Sequence, residues 1–284
     1  LPYQQRLVTL AGYAVLLITA LIFVFLVQQS WPFVREHGSL VFFTGDRWLP
    51  VSLPPVFQIG GFLVSSGIIT GVAIIIGVPF GVLAAISLAE LLPPGVSVIF
   101  RSIFEVTAGI PSVVFGFLGL KIVAPAVAGL FNLPTGLTGF SAGLVLSIMI
   151  LPTLVSLSEE ALRAVPREYA EASYALGANR WQTIWRVIVP SARGGIGAAV
   201  FLAMGRAIGE TMTVLMIAGG RLAMPTSIFD PMRPITALIA SEVNNAARNS
   251  IQYHALFTAG LILFMITFAV NAIAASVIVG KKAR

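Results

Sequence analysis

Cysteine is absent from this 284-residue chain, which excludes a disulfide framework and a thiolate metal site. Histidine is nearly absent: His37 and His254 lie far apart in sequence and form no metal-ligand pattern. Charge is scarce too. Asp, Glu, Lys and Arg make up 10% of the residues, against about 25% in a soluble domain. No Ser-His-Asp or paired-carboxylate arrangement stands out, so membrane-enzyme chemistry has no visible seat. A phosphate-binding loop needs Gly-Lys followed by Ser or Thr, and the one Gly-Lys pair, Gly280-Lys281, is followed by Lys282. The chain has no ATP site of its own, and it is expected to need no cofactor.

What fills the chain instead is apolar. Hydrophobic residues account for 57% of it and the mean hydropathy is +0.96. Helices of about 20 apolar residues cross a bilayer, and six such spans can be placed. They cover about Val8 to Val27, Gly60 to Leu88, Val98 to Leu120, Ala142 to Leu157, Gly194 to Ala218 and Ala255 to Val279. The first is too long, and too poor in small residues at its flank, for a signal peptide, so it reads as a retained helix. The pattern predicts an all-α polytopic membrane protein whose residues 1–284 form one transmembrane domain, solvated by the lipid bilayer. The formal charge of +6 then reflects a Lys/Arg excess on the cytoplasmic side rather than affinity for nucleic acid. With both termini inside, the cytoplasmic segments hold Arg6, Arg101, Arg163, Arg167, Arg180, Arg186, Arg193, Lys281, Lys282 and Arg284. The opposite side holds Arg35, Arg47, Lys121, Arg221, Arg233 and Arg248, with Arg206 left inside a span. The bias favours cytoplasmic termini.

Within the spans, Gly67 and Gly71, Gly77 and Gly81, and Gly205 and Gly209 are spaced to share one helix face. Such pairs let helix backbones approach closely in lipid. Pro79, Pro111 and Pro152 lie in apolar stretches and are expected to kink or interrupt their helices.

Residues 158–190 form a charged island between the fourth and fifth spans. Pro166 suits a first helical turn, and Glu168 and Glu171 follow where the helix dipole favours acid. Gly177 is a natural helix stop. A second short helix is expected from about Arg180 to Val189, gathering Trp181, Ile184, Trp185 and Ile188 on one side. Two readings stand: an interfacial helix with Trp anchors and snorkelling Arg, or a shaped knob presented to a protein.

The fifth span carries Gly205-Arg206-Ala207-Ile208-Gly209-Glu210-Thr211-Met212. An Arg and a Glu inside a membrane helix are each unfavourable by about 2.5–3.5 kcal/mol. At i and i+4 they share a face and can neutralise each other. One reading is a buried pair that fixes helix packing. The other places Arg206 on a central path as a forked donor to an oxyanion. Glu210 would then hold Arg206 between passages, and Thr211 or Thr213 would add hydroxyl donors.

These residues carry a resemblance. The island is similar to the cytoplasmic "EAA" loop of ABC-importer permeases, matching it at Glu171, Ala172, Gly177 and Pro190 and departing at Ser173, Val187 and Val189. In that family the loop seats on the ATP-hydrolysing subunit. The stretch from Gly205 to Met212 narrows the resemblance to the membrane subunits of the phosphate-specific ABC importer, and within them to the C-type of the two permeases. The stretches from Ala108 to Gly116, Ile148 to Thr153 and Ser30 to Pro32 agree. The resemblance implies a type I ABC importer permease architecture with a coupling helix between helices 4 and 5. It implies a bacterial inner-membrane location, phosphate as substrate and Arg206 and Glu210 on its path. It also implies a second homologous permease, a dimer of ATP-binding subunits carrying ATP and Mg, and an extracytoplasmic phosphate-binding protein. That binding protein would dock on loops such as Trp31 to Leu53 and Gly219 to His254. A permease for another oxyanion, such as sulfate or molybdate, remains open on the residues alone. An ion channel would leave the island without a purpose.

Overall fold

The computed structural model describes residues 2–37 and 40–279; Gly280, Lys281, Lys282 and Arg284 lie outside the described residues. Among these, six helices are long and apolar enough to cross a membrane: Arg6–His37, Gly60–Leu91, Ser112–Phe131, Gly139–Arg163, Arg180–Ile208 and Ile251–Ser276. Helix α1 (Pro2–His37) is followed by a short α2 (Leu40–Thr44) and by two paired strands, β1 (Trp48–Leu49) and β2 (Val56–Phe57). Helix α3 (Gly60–Ile86) passes through a π turn at Ser87–Leu91, and α4 (Pro94–Ala108) follows. Next come α5 (Ser112–Leu118), a π turn at Gly119–Val123 and α6 (Ala124–Phe131). Helix α7 (Gly139–Arg163) leads to the short α8 (Arg167–Ala175) and α9 (Arg180–Thr183). A π turn at Ile184–Ile188 then joins α9 to α10 (Val189–Ile208). The chain closes with α11 (Met212–Ile217), α12 (Ile235–Glu242) and α13 (Ile251–Val279).

Two spans differ from expectation. The third is Ser112–Phe131 and not Val98 to Leu120, because the chain leaves the helix at Gly109 and re-enters it after Pro111. Pro111 has no N–H to donate, and its ring disfavours helical backbone at Ile110. Pro79 and Pro152, by contrast, are carried inside continuous helices. The fifth span starts at Arg180 and stops at Ile208. The helix does not end at Val189; it widens by one π turn and continues. Pro190 lies just past that turn, where the α ladder would lose a donor in any case.

Helix α7 is the central element and packs along α3. Their seam is built on small residues. A Cβ on Gly143 would lie 2.6 Å from Cβ of Val72, one on Gly77 2.9 Å from Cδ1 of Ile150, and one on Gly81 2.5 Å from Cδ2 of Leu154. Backbones approach there as closely as small residues allow. A Cβ on Gly67 or Gly71 would meet no atom of the described residues within 4 Å, and both line an open apolar groove with Met204, Ile208, Leu263 and Ile266. Ile69, Leu146, Ile150, Leu154, Ala203 and Ile217 fill the middle of the bundle. At one end Phe33, Phe42, Trp48, Phe57 and Phe62 pack with Leu238 and Leu256. At the other end Ile86, Leu88, Leu162, Ile184 and Ile188 pack together. Helix α1 stays largely exposed and touches α13 through Phe23–Phe264 and Phe25–Phe257.

The end that carries Trp48 also gathers residues 218–234. Gly219 and Gly220 take positive φ of 91° and 73°, a bend that glycine alone adopts readily. Met232 N–H then donates to Ala218 O at 2.7 Å. Asp46 accepts from Met224 N–H at 3.4 Å, which brings the two loops expected to receive a binding protein onto one surface. Asp230 accepts from Thr226 N–H, the Thr226 hydroxyl and Ser227 N–H, at 2.8, 2.8 and 2.9 Å. These bonds, the Thr226 backbone bond foremost, hold its carboxyl below the usual carboxylate range.

Two outcomes follow from this packing. Gly143→Ala should lower thermal stability in detergent by about 1–3 kcal/mol, and adding Val72→Ala should recover part of the loss. A depressed carboxyl contributes stability above its unfolded pKa and loses it as pH falls through the folded one. Acidification towards about pH 3 should therefore open the Thr226–Asp230 turn, seen as faster amide exchange at Thr226 and Ser227.

Candidate functional site

The charged island folds into a helix, a tight stop and the start of a second helix. Helix α8 begins directly after Pro166 and ends in a Schellman motif. Gly177 N–H donates to Tyr174 O at 2.9 Å, Ala178 N–H donates to Ser173 O at 3.2 Å, and Gly177 has φ of 85°. Asn179 starts α9 through a reciprocal capping box with Gln182, whose two bonds are each 2.9 Å. Ser173, which stands where the motif has Ala, bonds the Thr183 hydroxyl at 2.9 Å, and both residues are buried. That bond fastens α8 to α9. Glu171 and Ala172 stay exposed, and Leu176 is 89% exposed. A groove of about 600 Å³ runs between the two helices, lined by Tyr169, Ala172, Leu176, Gln182 and Arg186. The expected one-sided stripe is divided: Ile184 and Ile188 are buried, whereas Trp181 and Trp185 are exposed. Each pair is spaced i, i+4, and only the isoleucine flank faces the bundle.

The island is anchored to three helices by charge. Glu159, buried near the end of α7, accepts from Arg101 of α4 and from Arg163 Nε at 2.9 Å. Arg163 Nη2 also donates to Leu88 O at 3.1 Å, and Arg180 Nη2 donates to Glu90 O. The Glu159 hydrogen bond holds the Arg101 guanidinium above even its usual high pKa. The signal for Glu159 in the sequence is its i, i+4 spacing to Arg163.

The second candidate lies where α10 stops. The helix ends at Ile208, and Gly209 to Thr211 bridge to α11. Arg206 is exposed on the last turn of α10 and, among the described residues, has no hydrogen-bond or ion-pair partner. The expected Arg206–Glu210 pair is not formed. Leaving the helix removes the i, i+4 geometry, and Glu210 Oε1 instead accepts from Thr213 N–H at 3.3 Å, in the manner of a helix cap. Thr213 also departs from expectation. It is fully buried and its hydroxyl donates to Ser112 O at 2.9 Å, so that proton is already committed. Thr211 is half-buried and donates to Gly209 O at 3.3 Å. Thr236 donates to Glu210 O at 2.8 Å.

Two helix breaks therefore lie side by side, one at Gly109–Pro111 and one at Gly209–Thr211, joined by the Thr213–Ser112 bond. Gly116 of α5 packs on Thr213 and Met216 of α11. Irregular backbone at membrane depth persists only where protein covers it or where it lines a wet cavity. The close neighbour expected beside Gly205 is Asn271 of α13, whose Oδ1 would lie 2.8 Å from a Cβ at Gly205. Asn271 was not legible in the sequence, because one amide in a long apolar run carries no motif.

Glu159→Gln should lower stability by about 1–3 kcal/mol in thermal unfolding, because two guanidinium groups lose their charged acceptor. Glu160→Gln, on the exposed neighbour, should stay within about 0.5 kcal/mol.

Comparisons with known proteins agree with the fold. The family model for the inner membrane component of binding-protein-dependent transport systems matches residues 77–282. A probable ABC transporter permease protein of Bacillus subtilis, YqgH, is 35% identical over 83% of this chain and 76% of its own length. The phosphate transport system permease protein PstC of Mesorhizobium japonicum is 34% identical over 93% and 85%. That of Haemophilus influenzae is 34% identical over 93% and 88%. Among solved structures, a bacterial alginate ABC transporter in complex with its alginate-bound periplasmic protein superposes with a TM-score of 0.62 at 18% identity, over 93% of this chain and 92% of that one. The inward-facing MetNI methionine transporter gives 0.54 at 19% identity, over 77% and 94%. At those identities the likeness is one of fold, and the fold is that of a type I ABC importer permease.

Proposed function

Since the chain belongs to the family of binding-protein-dependent transport system inner membrane components, we propose that it is the permease subunit of an ATP-driven importer of inorganic phosphate. It is a multi-pass inner membrane protein and not itself an enzyme. The observation that supports phosphate is Arg206: a permanent cation exposed on a membrane-spanning helix and, among the described residues, without a carboxylate partner. Such a group needs water or an anion beside it, and relatives that span most of the chain are named for phosphate.

In this reading the path runs along Arg206, with Glu210 and Thr211 beside it. Thr213 holds the two helix breaks together. A guanidinium offers an oxyanion two parallel N–H donors. Selection falls mainly to an extracytoplasmic phosphate-binding protein, so the permease needs only a weak, transient site. A second homologous permease closes the path from the other side. Both termini lie in the cytoplasm, and the alternative oxyanions are left to the transport assay.

The drive enters at Glu171, Ala172, Gly177 and Pro190, where a dimer of ATP-binding subunits, carrying ATP and Mg, would grip the exposed α8. The helix from Arg180 to Ile208 is continuous through its π turn. At 1.5 Å per residue, a displacement at Arg180 is carried about 39 Å to Arg206 by one element. Closure of the ATP-binding subunits would thereby alternate access at Arg206 between the two sides.

The test is radiolabelled phosphate uptake by the full assembly in vesicles, read together with ATP hydrolysis. Arg206→Gln should lower uptake about 10- to 100-fold, the loss of hydrogen bonds to a charged group, while assembly and hydrolysis persist. Glu171→Lys should uncouple or detach the ATP-binding subunits. Normal uptake by an assembled Arg206→Gln complex would make Arg206 structural and withdraw the substrate assignment.

A further inference from the structure

We propose that Asn271 is a second anion-contacting residue of the path, an uncharged donor that shares the passing phosphate with Arg206. The inference rests on the phosphate reading above and adds a residue from another helix.

Asn271 sits on α13, one of the six apolar spans, and is exposed. Among the described residues its amide has no hydrogen-bond partner. A free primary amide with two donors and an acceptor is unfavourable in hydrocarbon unless water, a ligand or another chain satisfies it. It is held against α10 at a chosen place. Its Oδ1 would lie 2.8 Å from a Cβ at Gly205, so glycine leaves room for the amide beside the backbone one residue before Arg206.

Helical phase turns both side chains away from the apolar groove. Met204 and Ile208 of α10 line the apolar groove against α3, together with Leu263 and Ile266 of α13. At about 100° per residue, Arg206 points about 200° around α10 from Met204, away from that groove. Asn271 is turned about 140° from Ile266 and about 80° from Leu263 in the same way. One flank of the α10–α13 seam is therefore apolar. Turned from it are the Arg206 guanidinium and the Asn271 amide, neither with a hydrogen-bond partner among the described residues. Their chemistry is complementary. A second cation would hold a phosphate too firmly for release, whereas an amide N–H adds a directed bond without adding charge.

Phosphate uptake and coupled ATP hydrolysis by the reconstituted assembly test this with three variants. N271L should lower uptake roughly tenfold or more, as expected for one hydrogen bond to a charged group, with assembly, ATP hydrolysis and the KM set by the binding protein unchanged. N271D keeps the shape and reverses the donor: its carboxylate should repel the anion, pair with Arg206 and abolish uptake. N271Q, which keeps the amide, should retain more uptake than N271L. Wild-type uptake by both N271L and N271D would overturn the proposal. So would equal loss of assembled complex in N271L and N271Q, which would assign Asn271 to packing. Failure of wild-type complex to move phosphate while moving sulfate or molybdate would instead sink the substrate reading, and is read in the same assay.

Discussion

A backbone inside hydrocarbon has no water to satisfy it, and the arrangement of this chain depends on how that requirement is met where its helices stop. Two helix breaks adjoin each other, one at Gly109–Pro111 where the third span begins and one at Gly209–Thr211 where the fifth ends. Neither break would be stable facing lipid. Protein covers both: Thr213 donates to Ser112 O across the two breaks, and Thr236 of α12 donates to Glu210 O. Glu210 is drawn into the same scheme as a cap, which leaves Arg206 uncompensated. The free cation thus follows from how the backbone is satisfied and is not an isolated choice of residue.

The opposite requirement governs the island between α7 and α10. There the elements are short and could not hold a shape by helix propensity alone. Local bonds hold it instead: a Schellman stop at Gly177, a capping box at Asn179 and the buried Ser173–Thr183 bond. Glu159 fixes its base to α4 and α7, and Arg163 and Arg180 tie it to the carbonyls of Leu88 and Glu90. The outcome is a rigid protrusion with an exposed face.

Much of this was legible in the residues. Hydropathy placed four of the six spans closely, and Gly177 marked a real stop. The third span was misplaced because α4 is apolar enough to resemble the start of a membrane helix, although it is a separate element before Pro111. The fifth was split in two because Arg180, Arg186 and Arg193 lower the local hydropathy of a helix that is continuous in space. The Arg206–Glu210 pair was drawn on an ideal helix, and sequence spacing alone does not reveal that the helix stops between them. Glu159 and Asn271 depend on tertiary neighbours, Arg101 and Gly205, that no local pattern encodes.

The π turn at Ile184–Ile188 has a consequence for how such chains can diverge. One widened turn amounts to a single added residue, and it offsets the azimuth of everything beyond it by about a quarter turn or more. The protrusion at Gly177 and the cation at Arg206 are therefore indexed to each other like two keyways cut on one shaft. Loss of one residue together with the widened turn would keep the two features in phase, whereas restoring regular winding at unchanged length would turn one against the other by about 100°.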